Sequence, residues 1–522
     1  MVAVAGRVRT GKVARAAVTV MLAFVASRVL GLAREMVISS RFGTSGELDA
    51  YLAAFRVPDL LFQLMAGGAL ASAFIPTFAG LLAQGDEQAA WRLAGNIVNL
   101  LLVLLGVLSL LAAFLAKPLV RYVVAPGFDP ERQALTASLM RIMLVTPVVF
   151  AISGTFMGIL NSYQCFLAPA LAPSAYNLAI ILGAWFLAPR FGVYGLAIGV
   201  ATGAVLHYLV QLPQVLARWR PGERLGPDPL GLASAHVREV VRLMLPRMAG
   251  LAAVQINFLV NTILASTLAP GTLATINFAW MLMLLPQGVF AQGIATAVFP
   301  TFSALAARAE VGELRRLLLR SLQAVFFLAI PATLGLVLLR TPIVSLVFQR
   351  RAFGAGSVAA VAWVLNFYAL GLCAHSGIEV ITRAYYALHD TRTPVGIGVA
   401  AMLLNVMLSL LLMHRMGGAG LALANTFATW MEMLALWVVL SRRLAGLSLG
   451  ELRAPLAKIG IASLAMCLVL LLVQRAPLSL ALRGLVGMSL GPAVFLAASA
   501  AMGVPEVMIG LERVRALLRL RR

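Results

Sequence analysis

Two arginines in the first long apolar segment are the residues of this sequence best suited to chemistry. Arg28 and Arg34 are six positions apart with Gly31 between them, so on a helix they lie on one broad face without stacking. A guanidinium donates paired hydrogen bonds to phosphate oxygens, and an ionised side chain at membrane depth costs about 3 kcal/mol unless it faces water or a partner. The pair therefore predicts binding of a phosphate or pyrophosphate. Neutralisation by Glu35 and Asp49 is the alternative.

Further polar residues extend this candidate site within otherwise apolar stretches. Arg56 is followed by Val57 and Pro58, which places its charge beside a helix break, and snorkelling toward the membrane interface is the alternative to a substrate contact. The predicted substrate-binding residues are Arg28, Arg34, Arg56, Gln63, Asn257 and Gln287. The predicted gating or ion-pairing residues are Glu35, Asp49, Arg383 and Asp390. For Asp49 the alternative is capping of a helix N-terminus, and for Arg383 and Asp390 it is a solvated loop.

The elements that position these residues must be membrane-spanning helices. The chain has 522 residues, of which 61% are hydrophobic and 11% charged, and its mean hydropathy is +0.95. Soluble domains carry about 25% charged residues, whereas the apolar runs here reach the roughly 20 residues that cross a bilayer. The formal charge of +22 comes from short basic clusters between these runs, so it indicates topology and not nucleic-acid binding. The predicted fold class is an all-α polytopic membrane protein.

Apolar runs separated by polar, Pro or Gly breaks predict about 14 transmembrane helices. They lie near residues 18–40, 50–82, 93–116, 137–160, 170–189, 193–217, 240–268, 273–305, 320–340, 357–387, 394–414, 418–441, 456–474 and 481–503. Placing both termini in the cytoplasm puts most of the Lys and Arg on that side, as the positive-inside rule requires. The loop that begins at Phe348 is then a basic loop on the outer side.

The sequence also contains an internal repeat. The segment AFIPTFAGLLA (73–83) resembles AVFPTFSALAA (297–307), and GVYGLA from Gly192 resembles GGAGLA from Gly417. The repeat predicts two parallel six-helix halves followed by two additional helices and a basic cytoplasmic tail. The predicted domains are 1–220, 221–445 and 446–522. Because such transporters bind substrate between their halves, a cavity is expected where spans 1, 2, 7 and 8 meet.

The motifs of common enzymes are missing from this chain. It has no nucleophile elbow, P-loop or HExxH sequence, so it is predicted to be a transporter and not an enzyme. The cysteines lack metal-ligand spacing, and neither a catalytic residue, a metal site nor a cofactor is expected. Transport is then expected to be driven by the membrane potential, by a gradient of Na⁺ or H⁺, or by the gradient of the substrate. The groups considered for ion coupling, each with helix packing as the alternative, are Glu379, Glu432, Asn405, Ser409, Asn425 and Thr426.

Over essentially its whole length the chain resembles the MurJ/MviN family of the multidrug/oligosaccharidyl-lipid/polysaccharide exporter (MOP) superfamily. The motifs that carry the resemblance are SRVLGLARE (27–35), ELDAYLAAFRVPDLL (47–61), GGALASAFIPTF (67–78), LPQGVFAQGIATAVFPTFS (285–303) and RAYYALHDTRTPV (383–395). Members are taken to flip the peptidoglycan precursor lipid II across the bacterial inner membrane. The resemblance implies that Arg28 and Arg34 meet the lipid-linked pyrophosphate and that Asp49 is the acidic residue opening helix two.

The sequence departs from the family pattern at several positions. Phe62 and Met281 stand where the family carries cavity arginines, and Gly67 stands where an acidic residue is expected in helix two. Ser409 replaces the acidic partner for sodium in helix eleven. Two interpretations stay open: the remaining arginines hold the pyrophosphate, or the protein carries a different lipid.

The predicted function is flipping of lipid II from the inner to the outer leaflet of the bacterial cytoplasmic membrane by alternating access. The alternatives are export of another polyprenyl-linked or anionic lipid or amphiphile, and a non-transporting scaffold for cell-wall enzymes. Expected partners are the lipid-linked anionic substrate, membrane lipids and cell-wall synthesis proteins. No nucleic-acid partner is expected, and the protein is expected to act as a monomer.

Overall fold

The computed structural model describes residues 2–65, 68–219, 230–232, 234–444, 446 and 449–508 of the chain. Within these ranges the protein is built from helices, and no strand occurs there. Packing divides the chain into two compact units, Met1–Leu273 and Ala274–Arg522. The all-α prediction is confirmed.

The first unit holds the residues of the predicted arginine site. Its helices are α1 (Val2–Phe42), α2 (Gly46–Ala54), α3 (Arg56–Met65), α4 (Gly68–Ala83), α5 (Glu87–Phe114), α6 (Ala116–Leu119), α7 (Pro130–Met143), α8 (Val145–Ser162), α9 (Leu167–Leu182), α10 (Ala188–Phe191), α11 (Tyr194–Leu216) and α12 (Ala235–Ser266). Short π-helical segments, Val120–Val124 and Gly183–Leu187, directly follow α6 and α9.

The second unit contains the remaining helices. They are α13 (Thr272–Ala307), whose first two residues belong to the first unit, α14 (Val311–Phe348), α15 (Ala355–Ala387), α16 (Arg392–Met416), α17 (Gly418–Arg443), α18 (Leu449–Arg475) and α19 (Leu480–Ala501).

Most of these helices have the length and composition of membrane spans. Within the described ranges, 11 helical segments are long and apolar enough to cross a membrane, and two shorter apolar segments, Ala73–Ala83 and Val254–Ser266, accompany them. The chain is a multi-pass membrane protein. The count of about 14 spans stays a prediction.

The second predicted span, 50–82, is interrupted at Phe55, between α2 and α3, and is not one continuous helix. Residues 66–67, between α3 and α4, lie outside the described residues. The chain turns at Phe55, whose N–H still bonds to the carbonyls of Ala53 and Tyr51. Pro58 lies in the first turn of α3, where its missing N–H costs no helical hydrogen bond. The turn at Phe55 therefore separates α2 from α3, and Arg56 stands at the start of α3.

Aromatic side chains fill the core of the first unit where α4, α5, α8 and α12 pack. Phe74 and Phe78 of α4 are fully buried with ring centroids 5.2 Å apart, and Phe78 meets Trp91 of α5 edge-on at 6.2 Å. Since lipid tails are as apolar as these side chains, close packing holds the helices together. This core seats α12 against α3 and α4.

In the second unit α18 and α19 pack against α14. The rings of Phe327 and Phe495 lie 5.0 Å apart. A side chain on Gly487 would approach Leu339 Cδ1 to 2.8 Å, so the small residue permits close helix contact. The two helices predicted to lie outside the repeat are thus integrated into this unit.

The predicted division into 1–220, 221–445 and 446–522 stays a prediction. Its first boundary falls within residues 220–229 and its second beside residue 445, both outside the described residues. Gly67 and the basic tail from residue 509 also lie outside them.

Candidate functional site

Arg34 is fixed by two side chains where α1 packs against α9. Its Nε and Nη2 atoms donate to Glu35 Oε1 at 3.1 and 2.5 Å, and its Nη1 donates to Asn177 Oδ1 at 3.0 Å. Asn177 in turn donates to the carbonyl oxygen of Ser27 at 3.4 Å. The side chains of Arg34 and Glu35 are 27% and 11% exposed. Glu35 thus forms an ion pair with Arg34, while its gating role stays a prediction.

Arg28 has different surroundings on the same helix. Its side chain is exposed, and no hydrogen bond or ion pair joins it to another residue in the described ranges. The two arginines are separated by a helical rise of about 9 Å. Of the five N–H donors of Arg34, Glu35 and Asn177 engage three. The helix therefore presents two guanidiniums: that of Arg34, which is oriented and has N–H groups that its partners do not use, and that of Arg28, which has no partner in the described ranges.

Asp49 is buried near the start of α2 and binds a backbone amide. Its Oδ2 accepts from the N–H of Gly271 at 2.6 Å. Gly271 has a φ of +87°, and a Cβ there would lie 2.2 Å from the carbonyl oxygen of Thr44, so glycine alone fits. Asp49 therefore holds the segment that follows α12. Its predicted role in gating or ion pairing stays a prediction.

Arg56 is positioned by α12. Its Nε donates to Thr262 Oγ1 at 2.7 Å, and its guanidinium carbon lies 5.7 Å from the ring centroid of Phe258. Two turns further along α3, Gln63 is in hydrogen-bonding reach of Asp59. Arg56 and Gln63 are both half-buried, and their predicted substrate contacts stay predictions.

The neutral polar residues of the predicted site belong to different units. On α12, Asn257 is half-buried and its carbonyl oxygen accepts from Asn261 Nδ2 at 3.1 Å. On α13, Gln287 is 6% exposed, and its Oε1 has no hydrogen-bond partner among the described residues. A substrate role for Asn257 and Gln287 stays a prediction.

The turn between α15 and α16 carries the other predicted gating residues. Asp390 Oδ2 accepts from Arg443 Nη1, and its Oδ1 accepts from the N–H of Thr393 at 3.0 Å. Hydrogen bonds from Thr393, and then from Arg443, lower the pKa of the Asp390 carboxyl to about 2. Arg383 lies 3.7 Å from Glu379 within α15. Asp390 and Arg383 therefore belong to two separate ion pairs.

The residues considered for ion coupling form small local groups in the second unit. Ser409 Oγ donates to Asn405 Oδ1 at 3.4 Å within α16, and Asn425 Oδ1 lies 3.3 Å from His375 Nε2. In the part of the chain that the structure describes, no three His, Cys, Asp or Glu side chains gather into a metal-binding group.

Three partners of the site were not predicted from the sequence. Asn177, Thr262 and Arg443 hold Arg34, Arg56 and Asp390 respectively. An amide inside an apolar span needs a hydrogen-bond partner, so the sequence could have indicated a polar contact for Asn177. In the sequence Thr262 resembles a packing residue, and Arg443 resembles a loop cation that indicates topology.

This arrangement suits recognition of an anion. Arg34 is oriented by Glu35 and Asn177, and Arg28 supplies a positive charge that no described carboxylate neutralises. Two guanidiniums on one helix match a diphosphate, which offers acceptor oxygens on each phosphorus. The cluster Arg28, Arg34, Glu35 and Asn177 is called the arginine site below.

Comparisons with known sequences point to one family. The family model for the lipid II flippase MurJ matches residues 38–484. The lipid II flippase MurJ of Burkholderia cenocepacia is 34% identical over 434 residues, which cover 82% of this chain and 84% of the relative. The probable lipid II flippase MurJ of Bdellovibrio bacteriovorus is 32% identical over 517 residues, which cover 97% of each chain.

Solved structures give the same picture. A lipid II flippase MurJ in an inward closed conformation matches with a TM-score of 0.80 and 25% identity, over 93% of this chain and 98% of that one. An inward-facing multidrug transporter of the MATE family, from the MOP superfamily, matches with a TM-score of 0.67 and 15% identity, over 80% and 94% of the two chains. The second likeness concerns the fold alone. Together they confirm the predicted superfamily fold.

Proposed function

Because this chain belongs to the MurJ family of lipid II flippases, we propose that it flips lipid II, a lipid-linked anionic precursor of peptidoglycan. Flipping runs from the inner to the outer leaflet of the bacterial cytoplasmic membrane, and both termini lie in the cytoplasm. The protein acts as a transporter without chemical conversion of its cargo.

The observation that carries this proposal is the contrast between the two arginines of α1. Arg28 has no partner among the described residues, whereas Arg34 is held by Glu35 and Asn177. The diphosphate of the lipid binds Arg28 and the remaining N–H groups of Arg34. On release, Glu35 still neutralises Arg34, so only one charge is left to be hydrated in the empty site.

The transport cycle exposes the arginine site alternately to the two sides of the membrane. Without a nucleotide-binding loop in the sequence, the driving force is the membrane potential or a gradient of Na⁺ or H⁺. The protein works as a monomer, and its partners are the lipid-linked substrate, membrane lipids and cell-wall synthesis proteins.

Complementation tests this function directly. In a bacterial host whose own lipid II flippase is depleted, the wild-type chain restores growth and the Arg28→Ala variant does not. Arg41→Ala is the matched control: it removes an arginine from the last turn of the same helix, where the guanidinium donates to the carbonyl oxygen of Trp185 at 3.3 Å. Membrane levels of the three proteins are compared by immunoblot.

Two results would contradict the proposal. Full rescue by Arg28→Ala at normal membrane level would show that the arginine site is not needed for flipping. Failure of a well-inserted wild-type chain would exclude lipid II as the cargo in that host.

One observation favours a second candidate, export of another anionic lipid. Phe62 occupies a position where the family resemblance implies an arginine, and its ring packs 4.9 Å from that of Phe150. Helix α3 therefore makes an apolar contact at a position where the family pattern implies a cation. Under this alternative the wild-type chain fails in complementation, and anionic lipids other than lipid II compete with one another for binding to the purified protein.

A further inference from the structure

A cavity of about 300 Å³ lies in the second unit between α14, α15 and the start of α19. Its lining includes Arg340, Thr341, Gln349, Val358, Ala362 and Trp363. It is separate from the arginine site, whose residues all belong to the first unit. The positive-inside pattern places this end of α14 on the outer side of the membrane.

The polar lining consists of hydrogen-bond donors. Arg340 donates through Nη1 to the carbonyl oxygen of Val337 at 2.5 Å, and no carboxylate in the described ranges lies within 4.0 Å of it. Gln349 Oε1 accepts a hydrogen bond from Ser345 Oγ. Because the oxygen of the amide makes this bond, the N–H groups of Gln349 are available to donate to a ligand. Thr341 adds a hydroxyl. A cavity with one uncompensated cation and further donors favours an anion.

The beginning of α19 adds to this positive potential. Leu480, its first residue, lines the cavity, and a Cβ on Gly484 would lie 3.2 Å from the carbonyl oxygen of Pro342, so the first turns of α19 pack directly on α14. A helix N-terminus carries partial positive charge. Arg483 in the same turn has a buried Nε without a hydrogen-bond partner in the described ranges.

The remaining lining is apolar and reaches the surface of the protein at Trp363. Val358 and Ala362 form a buried wall, and Trp363 is 52% exposed at the rim. Tryptophan is enriched where hydrocarbon meets the lipid headgroups. A free inorganic anion would gain nothing from these side chains, whereas an amphiphile places its phosphate on the donors and its glycerol and upper acyl carbons on the wall.

We propose that this cavity is a binding site for an anionic glycerophospholipid of the bilayer, with Arg340 as the residue that holds its phosphate. The lipid is a bound component of the membrane and not the transported cargo. The site is called the Arg340 site.

Lipid retention by the purified full-length protein tests this inference. The protein is equilibrated in detergent with phosphatidylglycerol or with phosphatidylcholine of the same acyl chains, and bound lipid is counted by native mass spectrometry. Wild type retains phosphatidylglycerol in preference to phosphatidylcholine. Arg340→Ala lowers phosphatidylglycerol retention by about fivefold, the effect of one arginine on an anionic lipid.

Arg320→Ala is the matched control. Arg320 is an exposed arginine of the same helix, about 30 Å away along its axis, and it has no ion-pair partner among the described residues. Its removal leaves retention unchanged. A second variant, Gln349→Ala, lowers retention by a smaller factor, and each variant is checked for wild-type thermal stability, so a misfolded protein is not counted.

Three outcomes would overturn the proposal. Arg340→Ala and Arg320→Ala lower retention equally, which indicates only a general charge effect. Stable Arg340→Ala retains as much phosphatidylglycerol as wild type. Wild type binds inorganic phosphate at millimolar concentration through Arg340 but retains phosphatidylglycerol no better than phosphatidylcholine, which indicates a site for a free anion.

Discussion

The ion pairs Arg34–Glu35 and Arg443–Asp390 use the same chemistry in different surroundings. Arg34 and Glu35 are adjacent residues of α1 with side chains 27% and 11% exposed. Arg443 and Asp390 belong to the end of α17 and the turn before α16, and their side chains are 46% and 15% exposed, so the contrast lies mainly in the arginines. Water can hydrate the second pair after a partner is lost, but it reaches the first pair less easily. The cost of removing one partner should therefore differ sharply.

The pairs also differ in what they hold together. Glu35 and Asn177 fix the direction of the Arg34 guanidinium. The ion pair itself joins neighbouring residues of α1, so it does not connect distant parts of the chain. Arg443 bonds to both Asp390 and Thr393, which ties α17 to the start of α16. The first arrangement suits ligand binding, and the second suits support of the fold.

The largest expected loss of stability follows the removal of Arg34, which leaves Glu35 without its ion-pair partner. Arg34→Ala leaves a partly buried carboxylate without its cation and lowers the free energy of unfolding by about 3 kcal/mol. The double variant Arg34→Ala/Glu35→Gln regains most of this loss because no uncompensated charge remains. Both are measured by denaturant unfolding in mixed micelles.

The matched comparison for this measurement is Arg443→Ala, which removes the cation of the more exposed pair from the same chain. It should lower the free energy of unfolding by no more than about 1 kcal/mol, because Asp390 keeps the hydrogen bond from the Thr393 N–H and lies in a turn between two membrane spans. Equal losses for Arg34→Ala and Arg443→Ala would show that depth in the fold does not set the cost of the two pairs.

A second prediction concerns Asp49, a buried carboxylate whose described partner is a backbone amide. Asp49→Ala removes the acceptor of the Gly271 N–H at 2.6 Å and lowers the free energy of unfolding by about 2 kcal/mol. Asp49→Asn keeps an acceptor oxygen and loses less. If Asn and Ala are equally harmful in the same unfolding assay, charge and not the hydrogen bond is what Asp49 contributes.

The sequence was sufficient for the fold class because hydropathy reports directly on membrane spans. Continuous apolar runs indicated an all-α membrane protein, and the family motifs indicated the superfamily fold, which the comparisons confirm. It was less informative about the break at Phe55. Pro58 indicated a helix break beside Arg56, but the apolar run continues across it, so hydropathy alone joins residues 50–82 in one span.

The candidate site was predictable in part. Charge at membrane depth identified Arg34 and Glu35, since such groups are costly and need partners. It did not identify Asn177, which lies 143 residues away in the chain, because pairing between distant helices depends on their packing. The sequence groups Asp390 with Arg383, but the ion pair that Asp390 makes is with Arg443, whose position follows from the end of α17.

A third, smaller effect is expected at Arg56. Arg56→Ala loses the hydrogen bond to Thr262 and the contact with the ring of Phe258, and the free energy of unfolding falls by about 1 to 2 kcal/mol. Thr262→Val is the matched control that removes only the hydroxyl. Arg56→Ala must cost more than Thr262→Val in the same assay; equal losses would leave no contribution from the ring.

The smallest effect is the pH dependence of the Asp390 pair. The carboxyl has its pKa lowered from 3.8 to about 2 in the folded protein, so between these values the unfolded chain binds more protons and stability rises with pH. The stabilisation is present above about pH 4 and is lost as the pH falls toward 2. Because Arg443 is 46% exposed, the gain is at most about 1 kcal/mol. The stability difference between wild type and Asp390→Asn, measured from pH 2 to 6, should shrink below pH 4; a constant difference would mean that the charge of Asp390 contributes nothing.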